Sequence, residues 1–272
     1  MNNKNTKTIW KCTKETKYNA DGKIESLIVK EYNGNQEKMT EYDSAGDIDF
    51  VTVNEYDDNK NEIKHSEYNH AGRIEGWSES EYDEKGNEVK YIRYNAQGKI
   101  DLRKEYGYDK NGNVVKIIEY DSKGSIVFCF ECKLVYEYDD KDNLIKIVEY
   151  GLNGELNNLE EREYDVDGNV KKLRHYMSDG SLGYVAENEY DSKNNRVHYT
   201  VYFCGTHKCE HIWEYDTKGN QIKHIMFDHQ RYYRFEKEYD NYGNEIKCTE
   251  YNSDGEIESV TEYEYEKFEI TE

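Results

Sequence analysis

Along most of the chain, apolar and polar residues alternate in short runs, and turn-forming clusters interrupt the runs at regular intervals. Glu88 to Tyr94 and Lys99 to Tyr108 are two such runs, with Asn95-Ala96-Gln97-Gly98 between them. A period of two belongs to a strand whose side chains divide between two faces. No stretch shows a helical period. The pattern predicts β-strands joined in succession by hairpin turns.

The turns repeat with a period near 26 residues. First-type units carry Tyr-Asp followed by glycine and asparagine, as in Tyr82-Asp83-Glu84-Lys85-Gly86-Asn87. Second-type turns such as Tyr94-Asn95 and Tyr120-Asp121 lie between them, each beginning 12 residues after its first-type tyrosine. Asp or Asn opening a type I turn bonds the backbone through its side chain, and glycine three residues later takes the left-handed conformation of a bulge. Where glycine is missing, Asn194 and Asp142 tolerate the same conformation; Lys60 is the exception. Counting a strand on each side of every turn gives about 20 antiparallel strands.

The expected fold is all-β: a tandem hairpin repeat forming an elongated, twisted or spiralling single-layer sheet, ranked above a closed barrel. Residues 1–17 read as a lead-in, 18–265 as the repeats and 266–272 as a tail. A three-residue loop pairs Tyr82 with Glu88 and Glu81 with Val89, and Tyr94 with Ile100. That register gathers Tyr82, Tyr94, Tyr106 and Tyr108 with aliphatic and lysine side chains on one face, and Tyr120 joins them in the next copy. This tyrosine face is the candidate binding surface.

Tyr106-Gly107-Tyr108-Asp109-Lys110-Asn111-Gly112-Asn113-Val114 and Glu163-Tyr164-Asp165-Val166-Asp167-Gly168-Asn169-Val170 resemble the YD repeat of the RHS family. The resemblance runs from about Tyr18 to Tyr265 and implies β-hairpin strips of the kind that spiral into shells. The chain lacks a distinct C-terminal toxin domain and the arginine-rich spacing usual in that family. Small proteins built on similar repeats act as antitoxin or immunity partners, an analogy at the level of fold.

Composition changes what such a fold can be. Leu, Ile, Val and Phe make up fewer than a fifth of the 272 residues, there is no proline, and tyrosine occurs 28 times. A thick aliphatic core is excluded, and cross-strand pairs must carry the sheet. The net charge of -21 excludes a basic footprint for nucleic acid and favours a basic partner. The N-terminal residues form no apolar run of signal-peptide length, and no segment reaches the roughly 18 apolar residues of a membrane span. A cytoplasmic location is expected, with no membrane partner.

Candidate chemistry is confined to where the repeat slips. Cys204, His207, Cys209 and His211 offer a zinc-ligand set, with His198 as a further donor; no other cofactor is indicated. Cys129 and Cys132 lie in the copy expanded to 30 residues, and in a strand they point to opposite faces. The alternative for all six cysteines is free thiols filling a thin sheet. Turn chemistry accounts for the acidic loops without calcium. Neither a nucleophile elbow nor a phosphate-binding glycine loop is present, and no carboxylate pair stands out. The expected function is non-enzymatic binding of another protein, in its specific form neutralisation of a basic partner or toxin. A carbohydrate-binding or surface-associated repeat protein and a structural scaffold are the alternatives.

Overall fold

The computed structural model describes residues 6–203, 207–228 and 231–271. Twenty strands form one sheet. The first five are β1 (Thr6–Asn19), β2 (Ile24–Asn33), β3 (Gln36–Tyr42), β4 (Ile48–Tyr56) and β5 (Glu62–Asn69). Then come β6 (Ile74–Tyr82), β7 (Glu88–Asn95), β8 (Ile100–Tyr108), β9 (Val114–Tyr120) and β10 (Ile126–Tyr138). They are followed by β11 (Leu144–Gly151), β12 (Leu156–Tyr164), β13 (Val170–Tyr176), β14 (Leu182–Tyr190) and β15 (Arg196–Phe203). The last are β16 (His207–Tyr215), β17 (Gln221–Asp228), β18 (Arg231–Tyr239), β19 (Glu245–Tyr251) and β20 (Ile257–Thr271). Successive strands pair antiparallel, as in β6 with β7 and β7 with β8. No helix occurs among the described residues, and none is long and apolar enough to cross a membrane.

The chain forms two compact units. One comprises Met1–Phe130, Tyr239–Cys248 and Ser259–Glu272; the other comprises Glu131–Glu238 and Thr249–Glu258. Within the first, β1 pairs with β20 from Thr6↔Thr271 to Asn19↔Ser259. The segments read from the sequence as lead-in and tail are therefore paired strands, and the sheet does not end in the free terminal edges expected of an open strip. An unpaired edge exposes a row of amides and carbonyls, which this pairing satisfies.

Each regular turn is built as its residue types dictate. Asp83 N–H donates to Asn87 O and Gly86 N–H to Asp83 O. Asp83 Oδ1 accepts from the amides of Lys85 and Asn87, and Asn87 Nδ2 donates to Asp83 Oδ2 at 2.9 Å. Gly86 has φ of 82°, and Lys60, Asp142 and Asn194 adopt positive φ at the equivalent position.

Beyond the turn the register differs from the expected one. Tyr82 pairs with Glu88, but Glu81 pairs with Lys90 rather than Val89. A second bulge thus follows the one in the loop, and the same one-residue step recurs after Arg93 and Gly107. One residue of slip reverses the faces of everything beyond it. Glu81 shares a face with Lys90, Glu79 with Ile92 and Trp77 with Tyr94, and this face continues through Arg103 to Tyr120. Tyr82, Tyr106 and Tyr108 point the other way. The single tyrosine face is replaced by two faces, each with its own tyrosines.

The two sets of tyrosines bond differently. On the first-type face, Tyr82, Tyr108, Tyr164 and Tyr190 donate their hydroxyls to the carbonyls of Glu62, Glu88, Leu144 and Val170, at 2.9, 2.6, 2.8 and 3.1 Å. The β5–β6 ladder stops at Lys64↔Glu79, so the hydroxyl supplies the carbonyl of Glu62, which lies past the last backbone rung. On the other face, Tyr120, Tyr176 and Tyr251 donate to the carboxylates of Glu105, Glu161 and Glu236. Among the described residues the buried apolar side chains are only Cys132, Val148, Ala186 and Val201. The sheet is a single layer, stabilised by pairs such as Trp77 on Tyr94 and Lys90 with Glu81, each contributing about 0.2–1 kcal/mol.

Candidate functional site

In the second unit, the strands after Arg196 depart from the repeat on the face that carries the first-type tyrosines. Here β15, β16, β17 and β18 place aromatic and imidazole side chains side by side. Tyr199 pairs with His211, Trp213 with His224 and His224 with Phe235. His211 stacks with Trp213 at 5.5 Å between centroids, Trp213 with His224 at 5.2 Å and His224 with Phe235 at 6.0 Å. Tyr199 lies 5.8 Å from His211. The Arg196 guanidinium sits 4.6 Å over the Trp213 ring and 5.1 Å from that of Tyr199. Toward β14 the same face carries His175 stacked on Tyr184.

Burial holds both imidazoles below their ordinary pKa. For His211 the nearby Arg196 adds to the effect while Asp228 opposes it. For His224 the neighbouring His211, Lys237 and Arg196 all add to it. Both rings are therefore neutral near pH 7. Cys209 lies on the same strand face, and burial, with Asp228 second, raises its thiol. The band is half-buried on one face of the sheet.

Of the zinc-ligand set expected from the sequence, Cys204 and the His207 side chain lie outside the described residues. Cys209 and His211 are brought together, with Sγ 3.5 Å from Nε2. His198 is not: it pairs with Ile212, and its Nε2 bonds Glu210 at 2.6 Å on the opposite face. Among the described residues, no group of three or more His, Cys, Asp or Glu is arranged to hold a metal ion. Cys129 and Cys132 occupy one strand, the first exposed and the second buried. None of the five described cysteines, Cys12, Cys129, Cys132, Cys209 and Cys248, is in a disulfide.

The sequence reading missed Trp213 and His224 as neighbours of His211. They flank an ordinary Tyr-Asp turn, but the bulge that aligns them leaves no mark in the alternation. Among the tyrosines singled out as a binding face, Tyr94 and Tyr120 lie on one side of the sheet and Tyr82, Tyr106 and Tyr108 on the other. A separate depression in the first unit, of about 290 Å³, is lined by Trp77, Tyr94, Arg93, Asn95, Asp101 and Glu67 among others.

No protein-family model matches the sequence, and no curated protein matches it. Among solved structures, a porin-like protein from Bacteroides uniformis is similar at 12% identity over 94% of this chain and 96% of its own, with a TM-score of 0.31. A Tc holotoxin pore from Photorhabdus luminescens is similar at 12% identity over 88% of this chain and 19% of its own, with a TM-score of 0.19. A eukaryotic initiation factor is similar at 6% identity over 95% of this chain and 96% of its own, with a TM-score of 0.32.

Proposed function

We propose that the chain is a YD-type repeat protein of the RHS-like kind that acts in the cytoplasm as a non-enzymatic binding protein. Its specific role is that of an immunity or antitoxin-type partner engaging a basic protein. The observation that carries this reading is the aromatic–imidazole band of β15–β18, displayed on a sheet face by a chain of net charge -21. Aromatic side chains and arginine supply much of the binding energy at protein interfaces, and Tyr199, Trp213, Phe235 and Arg196 meet in this band. The carboxylate excess steers a cationic partner toward the sheet.

Native co-purification from the host at low ionic strength tests the proposal. A basic protein is expected to co-elute, to dissociate as salt is raised and to be lost on Trp213→Ala. Recovery of no protein partner, or of one indifferent to Trp213, would remove the basis for it. A glycan-binding reading is favoured by the depression at Trp77 and Tyr94, where rings lie beside amide, guanidinium and carboxylate groups. Binding on a glycan array that is abolished by Trp77→Ala would support this second reading in place of the first.

A further inference from the structure

Three side chains of the band line up through their polar atoms. Cys209 Sγ is 3.5 Å from His211 Nε2, and His211 Nδ1 is 2.9 Å from His224 Nε2. The two imidazole planes are inclined by 12° with centroids 5.2 Å apart. With a nitrogen of each ring only 2.9 Å from the other, the rings meet edge to edge through a hydrogen bond. With the thiol donating to His211 Nε2, His211 carries its hydrogen on Nδ1 and donates it to His224 Nε2; in the other tautomers both bonds reverse, and the imidazole donates to the sulfur. Thiol, base and orienting group in sequence is the arrangement by which a weak nucleophile is activated.

We propose that Cys209 is a base-assisted nucleophilic thiol, with His211 as its base and His224 as the positioning residue, which takes electrophiles of the α,β-unsaturated carbonyl class. In the step, Sγ forms a bond to the β-carbon while the alkene π pair shifts toward the carbonyl oxygen. The thiol proton passes to His211 Nε2 and is returned to the α-carbon. The product is a thioether; nothing leaves and nothing is oxidised or reduced. Burial keeps Cys209 a thiol at rest, so its reactivity depends on the base rather than on a standing thiolate, unlike a cysteine activated by a lowered pKa.

Cys129 is exposed and serves as a control within the same molecule. The full chain is treated with limiting N-ethylmaleimide at pH 7, and labelling of each cysteine is followed by peptide mass spectrometry. General-base assistance of about 10²-fold, offset in part because Cys209 is half-buried and Cys129 exposed, should leave Cys209 reacting faster than Cys129. His211→Phe should bring it below Cys129. His224→Phe should slow it several-fold, and His224→Gln, which keeps an acceptor for His211 Nδ1–H, should restore part of the loss. In case a variant fails to fold, the wild-type protein is also labelled in D₂O, which should slow Cys209 more than Cys129. Equal labelling of the two cysteines in wild type, an unchanged rate in folded His211→Phe, or equal isotope effects would each overturn the proposal.

Discussion

Asp83, Asp139 and Asp191 each open a turn, and each carboxyl is held below its ordinary pKa. The side-chain amide of Asn87, Asn143 or Asn195 is the main cause, and backbone amides add to it. A group whose pKa is lowered on folding stabilises the fold fully above its unfolded value. That stability is lost as pH falls through the folded value. Acid unfolding followed by circular dichroism should therefore centre below about pH 4, and a midpoint above pH 5 would show that other groups dominate. Backbone strain gives a second prediction. Lys60 has φ of 71° where most copies have glycine, and a left-handed non-glycine residue costs roughly 1–2 kcal/mol. Lys60→Gly should raise the urea midpoint and Gly112→Ala should lower it, each through a change in unfolding free energy of that order; shifts of the opposite sign would contradict the turn assignment. These roles were legible in the sequence because each turn closes on itself within five residues and needs no tertiary information.

Strand pairing is where sequence reading stopped short. The order of hairpins and the number of strands follow from turn spacing, but the face of each side chain depends on a bulge that alternation does not reveal. Glu81 opposite Lys90 instead of Val89 moves Ile92 and Tyr94 to the face opposite Tyr82. The same gap hid His224 from His211, since its position depends on the step between Glu214 and Tyr215. Cys209 and His211 were legible as a pair because they lie two residues apart on one strand. The bulge also accounts for the tyrosine hydroxyl bonds. Tyr108→Phe removes the donor to the Glu88 carbonyl and should cost about 1 kcal/mol in chemical denaturation. Tyr94→Phe loses only a 3.4 Å bond to an exposed carboxylate and should cost less. Equal losses would mean that the ring, not the hydroxyl, accounts for the conservation of stability at these positions.

For the molecule as a whole, the pairing of β1 with β20 matters most. Residues outside the expected repeat boundaries complete the sheet, because a terminal strand is stabilised by whichever edge it meets, however weak its own motif. Removing residues 266–272 deletes the partners of Thr6 to Lys11 and bares a strand edge. The truncated chain should self-associate, measured by light scattering after size exclusion, while the full chain stays at one mass; identical behaviour would show that this pairing guards nothing. A different consequence concerns chain connectivity. Thr6 faces Thr271 across the ladder, so a short flexible linker can join β20 to β1. New ends can then be opened at an exposed turn such as Asp109–Asn113, where few contacts are cut. Such a circular permutant would retain every rung of the sheet, and which repeat counts as first would become a matter of where synthesis starts.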